Sequence, residues 1–71
     1  MQRQRVDSSA IQSVGYDPEE QVMEVEFQSG SVYEYRDVPA TLYESFLAAS
    51  SKGRFLSRNI KGRFSSERQD S

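Results

Sequence analysis

The sequence predicts an α+β fold: a three-stranded antiparallel sheet followed by one packed helix and a short C-terminal helix or turn. Three observations lead there. Met23, Val25 and Phe27 alternate with Glu24, Glu26 and Gln28, the period-two pattern of a strand with one apolar face. A glycine-bearing link then joins this run to a second one, Val32 to Val38, in which Tyr33 and Tyr35 share a face. Finally, Pro39 precedes Leu42, Tyr43, Phe46, Leu47 and Ala49, which recur at helical spacing.

Taken in order, residues 1–7 are polar and rich in Arg and Gln, with Val6 as the later apolar anchor, and are expected to form a flexible arm. The domain proper is expected over residues 8–64. Its first strand runs from about Ser9 to Tyr16, ending in the Asp17-Pro18-Glu19-Glu20 turn, where Pro18 presets φ. Ile11 is out of phase with Val14, which requires either a bulge near Gln12 and Ser13 or a different boundary.

Parity decides the link between the next two strands. A two-residue Ser29-Gly30 turn would set Glu26 beside Tyr33, mixing carboxylates with rings. A three-residue loop, Gln28-Ser29-Gly30 with Gly30 left-handed, instead sets Val25 opposite Tyr33 and Met23 opposite Tyr35. In that register both tyrosines face the helix and belong to the core, a reading preferred over an exposed base-stacking platform because the opposite face carries Glu24, Glu26 and Glu34.

Pro39 suits the first helical turn, and Gly53 the position that ends the helix. Beyond it, Phe55, Leu56, Ile60 and Phe64 are apolar among bases and should fold back onto the core. Lys52-Gly53-Arg54-Phe55 recurs as Lys61-Gly62-Arg63-Phe64, too short an echo for a solenoid. Each glycine is expected to turn the chain sharply, leaving the bases solvated on one face. Residues 65–71 are polar throughout and read as a disordered tail.

Composition narrows the function. The 71 residues hold one domain, with 35 % hydrophobic and 28 % charged side chains, apolar enough to fold and too polar for a membrane protein. The longest apolar run is a few residues and no signal-peptide pattern opens the chain, so a cytoplasmic protein is expected. No Cys and no His leaves the chain without a thiolate, the commonest general base or the commonest transition-metal ligand. The acids Asp17, Glu19 and Glu20 lack the spacing of a calcium loop and read as a solvated turn. No enzyme, cofactor or metal is therefore expected.

The net charge of -2 conceals a polarity along the chain. From Tyr16 to Glu44 eight acids stand against Arg36 alone, whereas from Lys52 to Arg68 six bases (Lys52, Arg54, Arg58, Lys61, Arg63 and Arg68) stand against Glu67. These bases, interleaved with Phe55 and Phe64, are candidate contacts to a phosphate backbone. The competing reading is a solvated face that balances the acidic strands.

The run of Ile11, Ser13-Val14-Gly15-Tyr16, Val25-Glu26-Phe27, Gly30, Tyr33-Glu34-Tyr35, Val38-Pro39, Tyr43, Lys52-Gly53, Phe55, Ile60-Lys61 and Phe64 resembles the KTSC domain. That family occurs at the C-terminus of some lysyl-tRNA synthetases and as small bacterial proteins, and its signature is a Tyr-x-Tyr, matched by Tyr33 and Tyr35. Phe64 departs from the Tyr often found at its position. The resemblance implies a fold and, through the synthetase, RNA as a partner; it implies no catalytic residue. The leading expectation is an RNA-binding module, and the alternative is a protein-interaction module or homodimer that uses a strand edge or the acidic sheet face.

Overall fold

A computed structural model describes residues 3–69. The chain forms β1 (Arg3–Arg5), β2 (Ile11–Asp17), β3 (Val22–Phe27), β4 (Val32–Tyr35), α1 (Ala40–Ala48), α2 (Lys52–Asn59) and β5 (Ser66–Arg68). All neighbouring strands are antiparallel, in the order β1-β2-β3-β4-β5, and both helices fall between β4 and β5. The architecture is the expected α+β one, with five strands rather than three.

The two added strands lie in the segments expected to be a flexible arm and a disordered tail. Neither has an apolar pattern, because every residue of both is exposed. Backbone pairing places them instead: Arg3 to Arg5 against Gly15 to Ser13, and Ser66 to Arg68 against Tyr35 to Tyr33. Arg36 N–H donates to the Ser65 carbonyl at 2.8 Å and Gln69 N–H to that of Val32 at 2.7 Å, continuing the last ladder. Residues 1, 2, 70 and 71, the far ends of that arm and tail, lie outside the described residues.

The central hairpin has the expected register, Val25 opposite Tyr33 and Met23 opposite Tyr35. Phe27 N–H donates to the Ser31 carbonyl and Gly30 N–H to that of Phe27, each at 2.9 Å, closing a three-residue loop. Gly30 sits at φ +99°, where a side chain would be strained. On β2 the pairing shifts between Ile11 and Ser13, so Gln12 is the bulged residue. The extra residue lets Ile11 and Val14 both reach the core, fully buried, while Ser13 turns the other way and donates to Glu26 Oε1 at 2.9 Å.

The helices cover the apolar side of the sheet. Phe46 from α1, Leu56 from α2 and Ile60 just beyond it pack with Ile11, Val14, Met23, Val25, Tyr35 and Val38 in one core. Tyr16 stacks on Tyr43 with centroids 4.7 Å apart, and Phe55 meets Phe46 edge to face at 6.0 Å. Tyr35 is 2 % exposed, but Tyr33 is only half-buried at the margin of the core.

Two helix boundaries differ from expectation. Pro39 is the N-cap of α1 rather than a residue of its first turn, and its carbonyl accepts from Leu42 and Tyr43 N–H. Gly53 does not end α1. That helix closes at Ala48, extended backbone at Ala49 makes the corner, and Ser51 caps α2 by accepting from Arg54 N–H at 3.4 Å. Gly53 is the second residue of α2, and a Cβ there would stand 3.1 Å from Ala10 Cβ, so the glycine permits close packing rather than a turn. Of the two echoed glycines, Gly62 alone has positive φ, +78°, in the turn that ends α2.

Two stability experiments follow. Tyr35→Ala should cost about 3–5 kcal/mol, the range for deleting a large buried aromatic, and Tyr33→Ala clearly less; equal losses in urea titrations would contradict the difference in burial. Gly53→Ala should realise its helix-propensity gain of about 1 kcal/mol only in an Ala10→Gly background, because Ala10 crowds the new methyl. A double-mutant cycle without coupling would refute that contact.

Candidate nucleic-acid interface

The sheet separates the chain's charges. Strand parity sends Glu24, Glu26 and Glu34 to the side away from the helices, and two arginines meet them there. Arg3 pairs with Gly15, which pairs in turn with Glu24. With no side chain at Gly15, the Arg3 guanidinium lies across β2 and reaches Glu24 at 3.1 Å and Glu26 at 4.0 Å. Arg36 stands 3.7 Å from both Glu34 and Glu67. Partial exposure keeps each pair modest in energy, yet together they neutralise much of this face.

Five of the six bases of the C-terminal half are not used in this way. Among the described residues, no carboxylate lies within ion-pair distance of Lys52, Arg54, Arg58, Lys61 or Arg63. The balancing role that the acidic strands invited is thus filled by Arg3 and Arg36, neither of which was a candidate.

The six candidates occupy distinct positions. Arg54 and Arg58, one helical turn apart and exposed, line a polar cleft of about 590 Å³ with Ser8, Ser9, Ser51 and Ser57, with Asp7 also on its wall. Arg63 folds back so that its Nε–H donates to the Arg58 carbonyl at 3.0 Å, joining this group. Lys61 points elsewhere, its Nζ 5.6 Å above the centre of the Phe27 ring. Arg68, on β5 opposite Tyr33, donates to Ser31 Oγ at 3.4 Å. Lys52 is held by the backbone, because its ammonium donates to the Ala49 carbonyl at 3.1 Å and ties down the corner between the helices.

Lys61 borders a second cleft, of about 440 Å³, lined by Phe27, Tyr33, Tyr35, Ser31 and Ser66 among others. Phe27 and Tyr33 meet edge to face at 5.8 Å along its wall. Ala10 belongs to both clefts, so they adjoin. Sequence reasoning placed Phe27 and Tyr33 on the core face, with the tyrosine largely buried, and missed this opening. The signal was available in their position near the end of the hairpin, at the margin of the sheet's apolar face.

Among the described residues, no three or more His, Cys, Asp or Glu side chains group so as to hold a metal ion. No helix in the described residues is long and apolar enough to cross a membrane. Of the residues expected to form the structural signature, Tyr33, Tyr35, Gly30, Pro39 and Gly53, the last four act through packing and backbone geometry as described above, and Tyr33 also lines the second cleft. Residues 7–64 match the family model of the KTSC domain.

The chain belongs to the KTSC domain family. A KTSC domain protein from Yersinia pestis, solved by crystallography, superposes with a TM-score of 0.94 at 42 % identity, covering 97 % of each chain. A protein of Tsukamurella paurometabola is 46 % identical over 61 residues, 86 % of this chain and 91 % of its own length. The lysine–tRNA ligase of a Nostoc species is 43 % identical over 61 residues, but there the KTSC-like segment is 11 % of the protein.

Burial governs the titration of three tyrosines in this KTSC domain. It raises the pKa of Tyr35 and Tyr43 above the ordinary 10.0, with Tyr33 adding to the effect at Tyr35. For Tyr16 burial again leads and the Asp17 charge adds. A raised pKa means that the folded state holds its proton more tightly, so this contribution to stability is complete below about pH 10 and is lost as pH rises through that value and then through the raised ones. Thermal melts across this range should show stability falling from about pH 10, with tyrosinate absorbance rising together with unfolding; a native absorbance titration centred on the ordinary value would contradict the burial.

Proposed function

We propose that this domain is a non-catalytic RNA-binding module that holds a phosphate backbone on the helical side of the sheet. The observation that carries the reading is the set of bases on α2 and the turn after it, Arg54, Arg58, Lys61 and Arg63, exposed and without carboxylate partners among the described residues. Unpaired cations grouped on one side attract polyanions and release the counterions of a bound backbone. The similarity to a segment of lysine–tRNA ligases supports RNA over other polyanions.

The alternative, pairing through a strand edge, has less support. Both edge strands are three residues long and carry charges, Arg3 and Arg5 on β1 and Glu67 and Arg68 on β5, features that oppose edge-to-edge association. The acidic sheet face is largely occupied by its own arginines.

Arg54→Glu combined with Arg63→Glu should abolish binding of single-stranded RNA at low salt while leaving the melting temperature nearly unchanged. Both side chains are exposed, and a carboxylate at position 54 would sit favourably in the first turn of α2. Each single variant should reduce the magnitude of the salt slope by about 0.7–0.9 per lost phosphate contact. Unchanged affinity in the double variant, or no binding by the parent at low salt, would overturn the proposal.

A further inference from the structure

Resting on the RNA-binding reading, we propose that the cleft between Phe27, Tyr33 and Lys61 receives an unpaired nucleobase, making the domain a reader of single strands rather than duplexes. Tyr33 lies on the core face of the sheet yet is half-buried, while Tyr35, two residues on, is 2 % exposed. Phe27 is likewise half-buried, and the two rings meet edge to face at 5.8 Å beside a cleft of about 440 Å³. Aromatic area left partly exposed in a concavity is the usual platform for an unstacked base, and duplex bases cannot reach it.

Charge and polar groups at the rim fit the same occupant. The Lys61 ammonium rests over the Phe27 ring and is exposed, so its flexible stem can swing to a phosphate as a base takes its place. Tyr33 and Arg68 are direct cross-strand partners, which puts the guanidinium on the side of the sheet where the base would lie. The hydroxyls of Ser31 and Ser66 line the cleft and can donate to or accept from a base edge. Across Ala10 the cleft adjoins the one lined by Arg54 and Arg58, where the phosphates on one side of the bound base would continue.

The decisive comparison is between an oligouridylate of about eight nucleotides and an abasic phosphodiester strand of equal length and charge, titrated into the whole protein and followed by NMR. The oligouridylate should bind about 5- to 150-fold more tightly, the value of stacking for one base, and should shift the ring resonances of Phe27 and Tyr33. Tyr33→Leu should bring its affinity down to that of the abasic strand and leave abasic binding unchanged. Because the comparison is made first on the parent protein, it stands even if this variant folds poorly. Equal affinities for the two strands in the parent would overturn the base pocket and leave the cationic RNA-binding reading intact; binding of neither strand would overturn both.

Discussion

The register of the β3–β4 hairpin is the constraint on which the other features of this molecule rest. Gly30, at φ +99°, allows a three-residue loop, and that loop length sets Val25 against Tyr33 and Met23 against Tyr35. A one-residue slip would set Glu26 beside Tyr33 and so mix carboxylates with rings on one face. With the register as it is, the helices have one apolar face to cover. The carboxylates have the other to share with Arg3 and Arg36.

That central hairpin was legible in the sequence because side-chain alternation and turn chemistry point the same way there. The bulge at Gln12 was legible too, as an Ile11 that would not fit the phase of Val14. The outer strands β1 and β5 were not. Their residues are all exposed, so no apolar period marks them, and only the backbone pairing of a strand already in place draws them into the sheet. Gly53 shows a different limit. Glycine after an apolar helical run reads as a helix end, yet its cause is Ala10 Cβ, a contact far away in the chain that no local pattern can register.

Two copies of Lys-Gly-Arg-Phe make the same point with sequence held constant. The first begins α2 and the second lies in the turn after it, with its glycine left-handed. Lys52 is bound to the end of α1, whereas Lys61 lies over Phe27; Arg54 stands on the helix surface, whereas Arg63 returns to the Arg58 carbonyl. Only the phenylalanines keep a shared role, both packing against the core. Identical tetrapeptides thus supply an anchor, a corner clamp and cations on different sides of the clefts. The candidate site could be read from the sequence as a set of bases but not as a geometry.

Charge segregation gives that geometry its meaning. A chain with net charge -2 would ordinarily present little to a polyanion. Here the sheet stands as a partition: Glu24, Glu26, Glu34 and Glu67 are held on its outer side by arginines from β1 and from the residue after β4, and the α2 bases stand on the helical side. Because fields between exposed charges are screened within about 8 Å at physiological ionic strength, a strand approaching the helical side meets the nearby cations more strongly than the carboxylates beyond the core. The same partition explains why β1 matters despite burying nothing. Without Arg3 lying across Gly15, Glu24 and Glu26 would lose their guanidinium partner. An edge strand with no apolar residue thus contributes through charge, by giving carboxylates on the outer face of the sheet a partner.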